Sequence, residues 1–259
     1  MSALADLIAN GFGISSVRGL TGKNVAAASA TKFSLLADAV TLRDPVSGQT
    51  ITKYQPGELI ADVSLAGPVA GGRDQAAVIS ATSFVSLFYI YNPTSRVLAL
   101  IFSSSSTAPT LPDGFTHFCY ATTIRGASAL TAMQVIGARA YYSLSSDSMR
   151  VLNNGGATAA TAVSCAQYTP PNSLRTILQC MLQMSSSSIG SYGLGITGIG
   201  NQYVIVVQFV INVVSTSQAG TSQIEIPLDG QSFQYRVSVG ASGGAYIDVL
   251  GYVVANGDN

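Results

Sequence analysis

Phe84-Val-Ser-Leu-Phe-Tyr-Ile-Tyr91 and Arg96-Val-Leu-Ala-Leu-Ile-Phe102 flank the short segment Asn92-Pro-Thr-Ser95. Two runs rich in β-branched and aromatic residues, cut by a turn segment, spell a β-hairpin. The proline presets φ for the turn and lies outside both ladders, where its missing N–H costs nothing. A second loop, Ala108-Pro-Thr-Leu-Pro-Asp-Gly114, leads into a strand from Phe115 to Ile124, and a strand or pair of strands runs from Leu130 to Ser143. Upstream of the hairpin, helical periodicity is scarce. Ser2 to Asn10 suits one or two helical turns before Gly11 and Gly13, and Ala26 to Ala39 suits one short helix. The β-pattern is expected to begin in earnest near Leu59, and the chain reads as all-β.

Downstream, Ser145 to Ala162 contains Asn153-Asn-Gly-Gly156 and little that could fill a core, which places a domain boundary near Asn153. Beyond it, strand candidates recur at 163–168, 175–184, 191–198, 203–214, 221–226, 231–239 and 245–254. That rhythm of short strands and polar turns describes an antiparallel sandwich of jelly-roll type. Phe233, Tyr235, Val237 and Val239 alternate with Gln234, Arg236 and Ser238, the period of a strand with one wet face. The expected organisation is an N-terminal segment over 1–58, a central β-module over 59–152 and a C-terminal β-sandwich over 153–259.

Composition narrows the function classes. The 259 residues hold 12 Lys+Arg and 12 Asp+Glu, so the net charge is zero, and only 9% are charged against a usual ~25%. Hydroxyls and glycine replace the missing charge, with 33 Ser, 20 Thr and 26 Gly. A chain that is 47% hydrophobic is not disordered by composition. It also lacks the basic surplus of a nucleic-acid binder. A surface this poor in charge is expected to be covered in an assembly. The most unusual stretch is Thr176 to Gln223, 48 positions without a charged residue. Within it, Tyr203 to Val214 is apolar on both faces, as for a strand covered on both sides. Either it crosses the middle of the sandwich or a neighbouring subunit covers it. The N-terminus carries no basic n-region of a signal peptide. The longest apolar run is 12 residues, short of the ~20 of a membrane helix, so no membrane insertion is expected.

Candidate chemistry is sparse. Gly193-Leu-Gly195-Ile-Thr-Gly198 spells G-x-G-x-x-G, but serines precede it and a β-branched run follows, without the helix that binds a pyrophosphate; these read as turn glycines. His117 and Cys119 share one face of a strand, yet neighbouring positions on one strand rarely give a thiolate–imidazole pair its in-line geometry. Cys119, Cys165 and Cys180, with no C-x-x-C spacing, read as buried thiols rather than a disulfide framework or zinc site. The glutamates are Glu58 and Glu225, and Asp44, Asp113 and Asp229 sit in turns. Asp248 lies inside a strand and shares a face with Tyr246, as a buried hydrogen-bonded pair or as a site. No metal, cofactor or catalytic residue is expected. Twelve tyrosines and no tryptophan suit sugar or interface contacts, or strand-edge core positions such as Tyr91, Tyr141, Tyr142, Tyr235 and Tyr252.

The block Phe84 to Tyr142 resembles a module common in virion structural proteins of tailed bacteriophages, especially tail-fibre and receptor-binding proteins. The matching parts are Tyr89-Ile-Tyr-Asn-Pro-Thr94, then Val97 to Phe102 running through Ser103 to Thr116 with its Pro-Thr-Leu-Pro-Asp-Gly-Phe core, and a strand ending Ile124-Arg125. Phe233 to Val253, with Gly251-Tyr252, looks like the last strands of the compact β-domain often attached to that module. The resemblance implies a homotrimer on a phage particle and host attachment through a cell-surface glycan or protein; residues 1–58, with their weak pattern, are expected to dock the subunit to other virion proteins and to be trimmed by proteolysis to a core from about residue 60. It carries no catalytic residues. Proteins of this kind also occur as head fibres and as capsid decorations or cement. The enzyme alternative is a polysaccharide depolymerase using carboxylates such as Glu225 and Asp248.

Overall fold

Strands before residue 143 are β1 (Ser16–Arg18), β2 (Thr21–Asn24), β3 (Lys32–Leu36), β4 (Ala39–Arg43), β5 (Thr50–Tyr54), β6 (Leu59–Asp62), β7 (Phe84–Asn92), β8 (Val97–Ser103), β9 (His117–Arg125), β10 (Met133–Ile136) and β11 (Arg139–Tyr142). The structure is a computed structural model that describes residues 15–79, 84–126, 129–144, 146–185, 190–198, 203–211, 217–238 and 242–255. The chain divides into two units, residues 1–143 with 254–259 and residues 144–253. The division falls ahead of the expected step at Asn153.

In the first unit the central hairpin closes as the sequence requires. β7 pairs with β8 from Ser86↔Ser103 to Asn92↔Val97. Asn92 Oδ1 accepts the N–H groups of Thr94 and Ser95, both at 3.0 Å, and Arg96 takes φ +60° to complete the turn. β7 also pairs with β9, and the order β1-β4-β9-β7-β8, with β5 on β4, makes one sheet. The second sheet in this unit runs β11-β10-β2-β3-β6. Val85 to Tyr91 are all buried, so β7 is covered on both faces. On one of them Phe88, Ile90 and Ile101 form a cluster against Leu111, Phe115, Phe118 and Tyr120. The second loop of the sequence reading is therefore part of the core.

Residues 16–62 correct the expectation that the β-pattern begins near Leu59. Among the described residues five strands precede Leu59, and Val17, Phe33, Leu35, Val40 and Leu42 are fully buried. The short helix expected over Ala26 to Ala39 is a 3-10 turn at Ala26–Ala28, followed by β3 and the start of β4. β5, Thr-Ile-Thr-Lys-Tyr, has strand propensity of its own, whereas β2, Thr-Gly-Lys-Asn, has little and takes its stability from partners. The helical turns expected over Ser2 to Asn10 lie outside the described residues. Limited proteolysis of the native protein is accordingly expected not to release a core beginning near residue 60. Mass spectrometry of the stable fragment checks this, and a new N-terminus near residue 60 would contradict it.

The second unit holds β12 (Arg150–Gly155), β13 (Thr161–Ser164), β14 (Ser173–Ser185), β15 (Gly190–Thr197), β16 (Val204–Ile211), β17 (Ser217–Pro227), β18 (Ser232–Val237) and β19 (Ser242–Val254). One layer runs β12-β19-β14-β17 and the other β13-β18-β15-β16. With eight antiparallel strands taken in that order, this is a jelly roll, the sandwich read from the strand rhythm. β17 pairs with β14 over its full length, Arg175↔Pro227 to Ser185↔Ser217. Leu178, Cys180 and Leu182 from one layer and Leu194, Ile196, Phe233 and Tyr235 from the other fill the interior. β12 lies within Ser145 to Ala162, the stretch read as holding little that could fill a core, and only Gly155 of its six residues is buried.

Both layers end on the same flank. β16 terminates one layer, β17 terminates the other, and the two lie against each other. The stretch expected to be covered on both faces is thus an edge strand. Val207 is buried at 6% exposure, whereas Val204, Ile205 and Val210 stand 54%, 61% and 50% exposed. Among the described residues no helix is long and apolar enough to cross a membrane.

Candidate functional site

The groove with most chemistry lies on the outer face of the layer containing β15 and β18. Gly193 and Gly195 sit two apart on β15, so both present their missing side chains to that face. Gly195 pairs with Arg236 of β18 on one side and Ile205 of β16 on the other, with a bulge beside it. The sequence reading placed these glycines in turns; they lie mid-strand instead. A mid-strand glycine costs roughly 0.5–1 kcal/mol relative to alanine. Packing does not require them here. A Cβ at Gly195 would meet Tyr203 at 3.4 Å and Arg236 at 3.7 Å, and one at Gly193 would meet Ile205 at 3.5 Å. The space left open is a groove of about 420 Å³ bounded by Thr158, Tyr203, Ile205, Arg236 and Ser238. Gly198 differs: the Pro227 carbonyl packs against its Cα and leaves no room for a side chain.

The walls are held in place. The Arg236 guanidinium carbon stands 4.4 Å over the Tyr203 ring, a cation–π contact. Tyr203 Oη donates to Gln234 Oε1 at 3.1 Å, and Gln208 Nε2 donates to Ser191 Oγ at 3.0 Å. Gly193 N–H donates to Ser238 Oγ at 2.9 Å while Ser238 N–H donates to the Gly193 carbonyl at 3.0 Å. The rim offers a guanidinium and hydroxyls, and none of the lining residues is acidic.

The candidates read from the sequence fall elsewhere. His117 and Cys119 do share a buried face of β9, but His117 Nδ1 is bonded to Thr116 Oγ1 at 2.8 Å and its ring packs edge-on against Tyr91. Burial pushes the Cys119 thiol up to about 12, so it carries no thiolate at neutral pH. Burial, with the nearby Asp248 charge, pushes Cys180 to about 12 as well, and burial raises Cys165. Asp248 is 4% exposed and bound by Arg150, Nε to Oδ1 at 2.9 Å and Nη2 to Oδ2 at 3.3 Å. Tyr246 stacks on the same guanidinium at 5.3 Å. Glu225 pairs with Arg175 at 3.3 Å. The two carboxylates proposed for a depolymerase therefore sit on different strands, each engaged by its own arginine. Glu58 borders a shallow depression on the first unit with Lys23 and Gln134, and Asp44 caps its turn through Val46 N–H and Ser47 Oγ. Among the described residues, no group of three or more His, Cys, Asp or Glu could hold a metal ion. Of the tyrosines flagged, Tyr91, Tyr142, Tyr235 and Tyr252 are buried and Tyr141 is half-buried; Tyr203, not among them, faces the groove.

Native protein is expected to react slowly with a thiol reagent at pH 7, and all three cysteines rapidly in urea. Prompt labelling of any of them in the folded state would contradict the burial. The same shifts give a sign for alkaline stability. Between the ordinary thiol value of 9.0 and the folded value of about 12, the unfolded chain has lost protons that the fold retains. Stability is present below pH 9 and declines as pH rises through that window. Replacing Cys119 and Cys180 with alanine should flatten the decline in urea titrations at pH 8 and pH 10.5.

No protein-family model matches the chain, and no curated protein matches it. Among solved structures, one titled "CBM4 structure and function" aligns at 12% identity and TM-score 0.23, covering 47% of this chain and 74% of that one. A Bacillus thuringiensis Cry1Da tryptic core variant aligns at 8% and 0.22, over 97% of this chain and 54% of that one. An Arthrobacter globiformis isomalto-dextranase complexed with panose aligns at 10% and 0.20, over 90% and 36%. Likeness at these TM-scores carries no argument here.

Proposed function

We propose that the protein is a structural virion protein of a tailed bacteriophage, a trimeric tail-fibre or spike subunit that attaches the particle to the host surface by passive binding. The observation that carries the reading is the uncharged flank of the jelly roll. β16 contains no charged residue and β17 contains only Glu225, yet both are edge strands with exposed apolar or neutral positions. Such edges invite pairing and association unless another chain covers them. Supporting it are the Tyr89-Ile-Tyr-Asn-Pro-Thr94 and Pro-Thr-Leu-Pro-Asp-Gly-Phe segments of the sequence resemblance, which fall in one hairpin and the loop packed on it. The jelly roll is an architecture shared by viral capsid and lectin domains, which supports the reading by analogy alone. Docking to other virion proteins through residues 1–58 belongs to the same proposal, with residues 16–54 acting as strands of the folded unit. Antibody labelling of phage particles in the electron microscope tests the location. Label on tail fibres is expected; label over the capsid would move the protein to the head-decoration class.

A further inference from the structure

We propose that the groove over Gly193 and Gly195 binds an acidic saccharide, with a uronate-type carboxylate on Arg236 and the sugar ring lying on the glycine floor. The inference deepens the attachment reading by naming the chemistry recognised, but its physical basis lies in the groove itself. At about 420 Å³ the space falls within the range of small-ligand sites. It exists because two mid-strand positions lack side chains that the neighbours would accommodate, at Cβ distances of 3.4 to 3.7 Å. Packing therefore does not account for the glycines, whereas close approach of a ligand to the backbone does.

The rim specifies the charge. Arg236 is exposed, fixed over Tyr203, and makes no salt bridge with a carboxylate among the described residues. A planar guanidinium with its fork free is suited to bidentate recognition of a carboxylate. Around it stand groups matched to ring hydroxyls: the Ser238 hydroxyl and Thr158. Ile205 supplies an apolar wall for the C–H face of a sugar. The Tyr203 ring already carries Arg236 on the face contacted, so the site is not built as a stacking platform for a nucleobase. The absence of an acidic lining residue leaves nothing to repel an anionic ligand.

The test uses the full-length protein and isothermal titration with three probes: oligogalacturonate, the neutral galactose oligosaccharide of the same length, and inorganic phosphate. Oligogalacturonate is expected to bind at least tenfold more tightly than either other probe. Arg236→Gln should remove that preference, and Gly195→Val should abolish saccharide binding by filling the floor. Arg236 is exposed, so its variant should keep the wild-type melting temperature; Gly195→Ser is a smaller plug should Gly195→Val fold poorly. Equal affinity for the neutral sugar, equal affinity for phosphate, or binding unaltered in Arg236→Gln would each overturn the assignment. These measurements need no particle. A failure of the virion reading would appear in the antibody labelling, with groove binding intact.

Discussion

Arg150→Ala is expected to destabilise the jelly roll by about 3–5 kcal/mol, a large part of the whole stability of a domain. Arg150 pairs with Asp248 directly across the β12–β19 ladder, and the carboxylate it holds has 6% side-chain exposure. Removing the guanidinium leaves that charge in the layer without the fork that now takes both of its oxygens. The cost is the desolvation of an unpaired ion rather than the loss of one contact. A swap that removes both charges, Arg150→Met with Asp248→Leu, should therefore lose much less than the single substitution. Urea unfolding followed by circular dichroism provides both numbers. The result also separates architecture from catalysis. If Asp248 served turnover of a host polysaccharide, Asp248→Asn would abolish activity in a protein of unchanged stability; the ion pair predicts loss of stability instead.

What was legible in the sequence follows from how local each determinant is. The β7–β8 hairpin could be read because Asn92 and Pro93 fix its turn within four residues, and the jelly roll because strand candidates recur at close intervals between polar turns. β2 escaped notice because Thr-Gly-Lys-Asn has no strand character of its own. Gly22 sits where Leu35 and Phe33 crowd the backbone, and β2 is sustained by β3 and β10 on either side. β12 escaped for a related reason. Its Asn153-Asn-Gly tail reads as a turn, and Asn154 does adopt φ +57°, but Arg150 is anchored almost a hundred residues away at Asp248. The groove was hidden more deeply, because it is assembled from four separate segments, around 158, 193–195, 203–205 and 236–238, and its central feature is the absence of side chains. The wet face of β18, with Gln234 and Arg236, was visible as a period-2 pattern. That β15 and β16 would supply its floor and far wall was not.

Val207→Asp and Val210→Lys should fail in different ways, and the difference tests the assembly. Val207 pairs with Leu194 and points into the sandwich at 6% exposure. An aspartate there places an unpaired charge among apolar side chains at a cost of several kcal/mol, and the second unit should unfold. Val210 pairs with Ser191 on the same edge strand but is 50% exposed. In a free chain a lysine there should change stability by no more than about 0.5 kcal/mol, and lysine on an edge strand is a familiar guard against pairing. If the β16–β17 flank is a subunit contact, the same lysine meets a neighbour. A contact burying ~800 Å² per subunit, a little over half of it apolar, is worth on the order of 10 kcal/mol before ordering costs. One buried, unpaired charge removes several kcal/mol of that, which shifts the equilibrium by at least two orders of magnitude. The expected outcome by light scattering at micromolar concentration is a wild-type mass of three chains, with Val210→Lys dissociated but folded. Closed symmetry covers the flank without leaving a growing end, and the count of three comes from the fibre resemblance, so a mass of two would overturn the three-fold reading and keep the contact. A wild type with the mass of one chain would overturn the contact itself, because Val204, Ile205 and Val210 would then be left exposed in solution.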